Sequence, residues 1–127
     1  MSTKVGLYEL HAEHKEWNNK LDFYKDDISI LEKRLEELVT KNTDQSIRAE
    51  IEKYQNQFLI QKNNIDQIQH IINIDEKEIQ KEINDNPVAV DHRKIEDHPK
   101  ERDLVETFEQ KLNELRSNFN SFSAKWM

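Results

Sequence analysis

The residues of this chain with the most chemistry in them are its five histidines, set among 26 acidic residues and no cysteine. Without cysteine there is no thiolate metal site, no disulfide and no thiol nucleophile. What remains is imidazole–carboxylate chemistry, which can bind Zn²⁺ or Fe²⁺ or form a buried ion-paired layer. Four polar residues draw attention because each interrupts an otherwise apolar stripe: His14, Asp75, His98 and Glu101. A buried polar group is costly without a partner, so polar residues in such places are more informative than the apolar ones around them. His11 lies one turn before His14 and can flank the group. A second grouping joins His70 to Asp66, one helical turn earlier, with His92 and Glu96 on a following connector. None of these spacings is that of a standard site. Di-iron carboxylate bundles use paired Glu-x-x-His, and the residues three before each histidine here are Tyr8, His11, Gln67, Ala89 and Ile95. The single glycine leaves no phosphate-cradling loop, and the serines Ser117, Ser121 and Ser123 have no histidine near them in sequence.

The stripes themselves predict the elements that must position these groups. Leu7, Leu10, His14, Trp17, Leu21, Tyr24, Ile28, Leu31, Leu35 and Leu38 follow one another at alternating steps of three and four, a heptad seam. They predict a helix over about 5–40. Asn42-Thr43-Asp44 then offers a helix end and a new N-cap, with Asn42 suited to a left-handed C-terminal position. A second seam runs Ile47, Ile51, Tyr54, Phe58, Gln61, Ile65, Ile68, Ile72, Asp75, Ile79 and predicts a helix over about 45–83. Ile71, Ile74 and Ile83 widen its apolar face. Asn84 to Pro87 breaks it. Val88–Asp97 reads either as a short extra helix or as a connector. The last seam, Val105, Phe108, Leu112, Leu115, Phe119, Phe122, Trp126, extends back to His98 and Glu101 and predicts a helix over about 98–125, with Pro99 in its first turn and Glu101 reaching back in a box-like contact. The expected fold is all-α: one domain over 1–127, an elongated antiparallel, up-down-up three-helix bundle. Reflecting the chain about its two turns brings His14, Asp75, His98 and Glu101 to one end.

Composition narrows the partners. The net charge is −7, from 19 basic and 26 acidic residues. No segment carries the clustered lysine and arginine that a phosphate backbone or an anionic membrane needs. No run approaches the ~18–20 apolar residues of a membrane helix, and the make-up of the first residues leads to the expectation of no signal peptide. The expectation is a soluble, cytoplasmic protein that binds neither nucleic acid nor membrane. Phe23 and Ile30 lie off the main stripe of the first helix and invite a second contact, with another helix or another copy.

Several stretches resemble a family of small bacterial all-helical proteins without an assigned activity. They are Leu10-His11-Ala12-Glu13-His14 with Trp17 and Phe23-Tyr24, then Gln55 to Phe58, Asp91-His92-Arg93 through Asp97-His98, and Phe119 to Met127. The resemblance spans nearly the whole chain and implies a helical fold. It transfers no activity, cofactor or partner, but its histidine-containing stretches fall at His14, His70, His92 and His98.

Two functions follow as expectations. The first is a non-enzymatic interaction or scaffold module that docks a protein partner or a second copy. The alternative is a Zn- or Fe-binding bundle with its site at His14, Asp75, His98 and Glu101, with His11, His70 and His92 secondary. Replacing His14 by leucine is expected to be tolerated in a purely structural polar layer and to abolish binding at a metal site.

Overall fold

A computed structural model describes the backbone of residues 3–85 and 92–127, and the side chains of 6–85 and 98–127. These residues form three helices and no strand: α1 Thr3–Lys41, α2 Gln45–Asp85 and α3 His92–Trp126. Each packs on the other two. At 39, 41 and 35 residues they run to roughly 50–60 Å. None of the described helices is long and apolar enough to cross a membrane.

The first two helices fall within two residues of their expected limits, and the third does not. It begins at His92, so residues 92–97 are its opening turns, not a separate short helix or connector, and Pro99 lies inside it. Residues 88–91 of that expectation lie outside the described residues. A proline removes one backbone donor and disfavours helix at the residue before it. It does not forbid the turns upstream, and the helix runs through it. Glu101 is therefore no first-turn residue, and it faces inward instead of reaching back to a cap.

The turn between α1 and α2 is held by side chains. The Asp44 carboxylate accepts from the Ser46 backbone N–H at 2.8 Å, and the Asp44 carbonyl accepts from Arg48 N–H, so Asp44 is the N-cap of α2. Asn42 closes α1 through its side chain, and no described residue has a positive φ, contrary to the left-handed cap expected there. Its amide donates both to the Leu38 carbonyl and to the Trp126 carbonyl, which ties the end of α3 to this turn.

Cross-helix contacts order the molecule. From α1 to α2, Asn18 meets Asn73, Lys25 meets Asp66 and Glu32 meets Lys62, so the partner's number falls as the α1 number rises. From α1 to α3, Glu13 meets Arg102, Lys20 meets Glu109 and Asp27 meets Arg116, a step of seven on both helices.

The core is two apolar clusters. The larger runs from Trp17 and Val105 to Leu38, Ile51 and Phe119, with Tyr54, Phe122 and Trp126 packed against it. The smaller is Leu7, Leu10 and Ile79 with Ile83 beside them. Near the end of α3 the inward phase drifts. Ser123 is buried while Phe122 and Trp126 are only partly so, as expected when a 3.6-residue helix meets a 3.5-residue pattern.

Candidate metal centre

Between the two apolar clusters lies a polar layer. His14 on α1 and His98 and Glu101 on α3 are all buried, each at 4% exposure or less. One ligand atom from each lies within 4.8 Å of the other two. His14 Nε2 is 2.8 Å from Glu101 Oε2, and His98 Nδ1 is 3.8 Å from the same oxygen. The Trp17 indole stacks on the His98 ring, 4.8 Å between centroids, and closes the layer toward the main core. Leu7, Leu10 and Ile79, all buried, close the other side, so this is an interior layer and not a frayed, wet helix end.

The far nitrogen of each histidine faces a second carboxylate. His14 Nδ1 is 3.1 Å from Glu76 Oε1 on α2. His98 Nε2 approaches Glu13 Oε1 on α1 to 3.1 Å, off the alignment of a hydrogen bond. Both carboxylates are braced in turn. Arg102 holds Glu13 with a two-pronged contact at 2.7 and 3.0 Å. Gln80 donates to Glu76 at 3.1 Å, and His11 Nδ1 sits 2.5 Å from it. At His14 this is the usual outer arrangement of a metal ligand, in which the hydrogen bond to the carboxylate fixes the tautomer and the ring plane; at His98 the carboxylate is within reach but not aligned.

His14 meets a carboxylate oxygen at each ring nitrogen. A neutral ring has one N–H, so between two ionised carboxylates its remaining lone pair is set against an oxygen. A proton or a metal ion on the Nε2 side removes that conflict. Burial holds the His98 imidazole below its ordinary value of 6.5, against the pull of the Glu13 carboxylate, which favours the neutral ring that a metal requires. Burial pushes Glu13 up, but the Arg102 contact and the nearness of His98 outweigh it and hold the carboxyl below the ordinary range. Both ring nitrogens of His98 and Oε1 of Glu101 are buried without a hydrogen-bond partner. Such atoms are costly unless something satisfies them. A cleft of about 210 Å³ lined by His11, His14, Asn18 and Glu76, among others, leads from solvent to the His14 ring.

Three of the four residues singled out from the sequence thus meet. Asp75 is not in the cluster; it is half-buried, and its neighbour Glu76 is the α2 carboxylate that reaches His14. Positions three and four beyond Ile72 both lie near the seam, and spacing alone does not choose between them. His11 flanks the layer as expected, through Glu76. His70 is exposed, and Asp66 pairs across to Lys25 on α1. His92 opens α3, and its side chain lies outside the described residues. Glu13 and Arg102 had no signal within a single seam; both lie beside the stripes and become visible only when α1 and α3 are set side by side.

No protein-family model, curated protein or solved structure matches this chain. The site is therefore read from its own geometry.

Proposed function

We propose that this chain is an antiparallel, up-down-up bundle with coiled-coil-like heptad seams whose polar layer binds one divalent metal ion through His14, His98 and Glu101. The observation that carries the reading is the convergence of these three buried groups, with an outer carboxylate on the far nitrogen of each histidine. Two imidazoles and one carboxylate without thiolate suit Zn²⁺ or Fe²⁺ and leave a coordination position open for water or a small ligand. Ligand bonds of ~2.0–2.2 Å require the side chains to close on the ion by shifts on the order of 1 Å. The antiparallel arrangement is supported by the falling partner numbers along α1 and α2, and the heptad reading by ion pairs every seven residues between α1 and α3.

Metal analysis of protein purified without a histidine tag tests the function. We expect close to one Zn or Fe per chain and a raised melting temperature on adding either ion to stripped protein, since binding to the native state stabilises it. Less than about a tenth of an ion per chain with no thermal shift ends the proposal. A Trp126→Phe variant leaves Trp17 as the sole indole, and quenching of its fluorescence reports binding beside His98. A second reading, association through an outer helix face, rests on the exposed Ile60, Ile71 and Ile74 of α2.

A further inference from the structure

The outward face of α2 differs from the rest of the surface. The whole chain is 35% charged. From Tyr54 to Ile74 only Lys62 and Asp66 carry formal charge, and both are turned to α1, against Glu32 and Lys25. The face left over exposes Ile60, Ile71 and Ile74. Its inner edge, Asn64, Gln67 and Ile71, lines a groove of about 320 Å³ between α2 and α3, whose α3 wall carries the exposed Leu104 together with Lys100, Asp103 and Lys111. Depletion of charge, more than hydrophobicity, marks the centre of an interface.

We infer that this face pairs with the same face of a second copy, α2 against α2 in opposite directions, about a two-fold axis between residues 65 and 66. The order of residues along the face fixes this register. Its outward positions follow each other at alternating steps of three and four, as in a heptad seam. Antiparallel pairing about that axis sets Asn64 against the partner's Gln67, amide to amide. Ile60 then meets the partner's Ile71, and Gln57 meets the partner's Ile74. At the two ends Lys53 meets the partner's Glu78, and Glu50 meets the partner's Lys81. By symmetry each of these contacts occurs twice, so one register gives two apolar layers, a polar centre and four opposite-charge pairs. Sliding by one heptad in either direction destroys the match. It sets Ile60 against the partner's Glu78, or Ile71 against the partner's Lys53. A contact made by one patch on both copies is closed and stops at the dimer. The net charge of −7 opposes association through most other faces, whereas on the α2 side this one carries charges, of alternating sign, only at its ends.

The seam from Glu50 to Lys81 is about 45 Å long. A single pair of helices with one groove wall is a narrow contact beside a standard interface of ~800 Å² per partner, so the dimer is expected to depend on concentration.

Sedimentation equilibrium over about 1–500 μM tests the proposal. Wild type is expected to move from 15.3 kDa toward twice that mass and no further. Ile71→Glu, at an exposed position, is expected to weaken association more than tenfold, whereas Phe23→Ser on α1 leaves it unchanged. The sharper arm uses two charge variants. Lys53→Glu with Lys81→Glu makes the end positions all acidic, and Glu50→Lys with Glu78→Lys makes them all basic. Each alone should associate at least about tenfold more weakly than wild type, and an equimolar mixture should regain the dimer. A wild-type monomer throughout the range overturns the proposal. So does growth beyond the dimer, a dimer indifferent to Ile71→Glu, or a mixture no tighter than its components.

Discussion

Two cross-sections of the same three helices solve the burial problem in opposite ways. Around Phe58 the interior is apolar: Phe58 meets Phe119 edge-on at 5.1 Å and 83°, Tyr54 packs against Phe119 and Phe122, and Leu31, Leu35 and Leu38 complete the section. Around His14 the interior is a network of imidazoles and carboxylates. The backbone is helical in both, and the inward positions recur at similar spacing. An apolar section needs only volume and shape, because dispersion and the hydrophobic effect are not directional. A polar section needs every partner in place, and His98 and Glu101 still hold buried atoms without one. The first is built for stability. The second gives up that tolerance, and Leu7, Leu10 and Ile79 beyond it cover its outer side.

Truncation should separate the two sections most sharply. Phe58→Ala is expected to lower unfolding free energy by about 3–5 kcal/mol in urea titrations, with metal binding retained; a cost below about 1 kcal/mol would make the aromatic section no firmer than the polar one. At His14 the effect depends on what happens to its partner. His14→Leu alone should abolish metal binding. It should also destabilise the metal-free protein by up to about 3 kcal/mol, because it strands the buried Glu101 carboxylate. Replacing both His14 and Glu101 by leucine should recover that loss or exceed wild type, as buried ion pairs exchanged for well-packed apolar groups often do. Tolerance of the single leucine, expected when the seam is considered alone, is thus revised by the contact with Glu101. Equal stability of the single and double variants would show the pair to be uncoupled.

Smaller effects sharpen the same contrast. Glu13→Gln keeps the shape of the outer partner of His98 but removes its charge, and should weaken metal affinity about 10–100-fold in a competition titration while leaving the melting temperature of the metal-free protein within a few degrees. An unchanged affinity would remove Glu13 from the outer arrangement. Smallest is Asp44, exposed in the turn at the opposite end of α1 from His14. Its hydrogen bonds from Ser46 hold the carboxyl below its ordinary 3.8. The folded form therefore binds its proton less readily than the unfolded chain. The stability this contributes is present above about pH 4 and is lost as pH falls through the folded value. Asp44→Asn, which keeps a capping oxygen but not the charge, should lower the melting temperature slightly at neutral pH and flatten that acid limb, so that the two proteins converge in melts well below pH 4.

Much of this was legible before any tertiary contact was known. His14, His98 and Glu101 stood out as polar residues on apolar stripes, and the hairpin reflections set them level with one another. The slip to Asp75 came where two adjacent residues, three and four beyond Ile72, both approach the seam. The start of α3 departs from the expected His98 because a proline suits a first turn, whereas Pro99 lies inside the helix. Glu13 and Arg102 lay outside any single pattern, since their pairing joins flanking positions of two helices 89 residues apart.

Sequence alone determined the period of the inward positions and hence the helices, their number and the polar interruptions, because helical periodicity is local and repeats whatever it packs against. Only the tertiary structure decided which carboxylate each histidine nitrogen faces, that Leu7, Leu10 and Ile79 close the layer from outside, and that one face of α2 stays bare. Those depend on the rotation of each helix about its own axis, and that rotation is set by all three packing together.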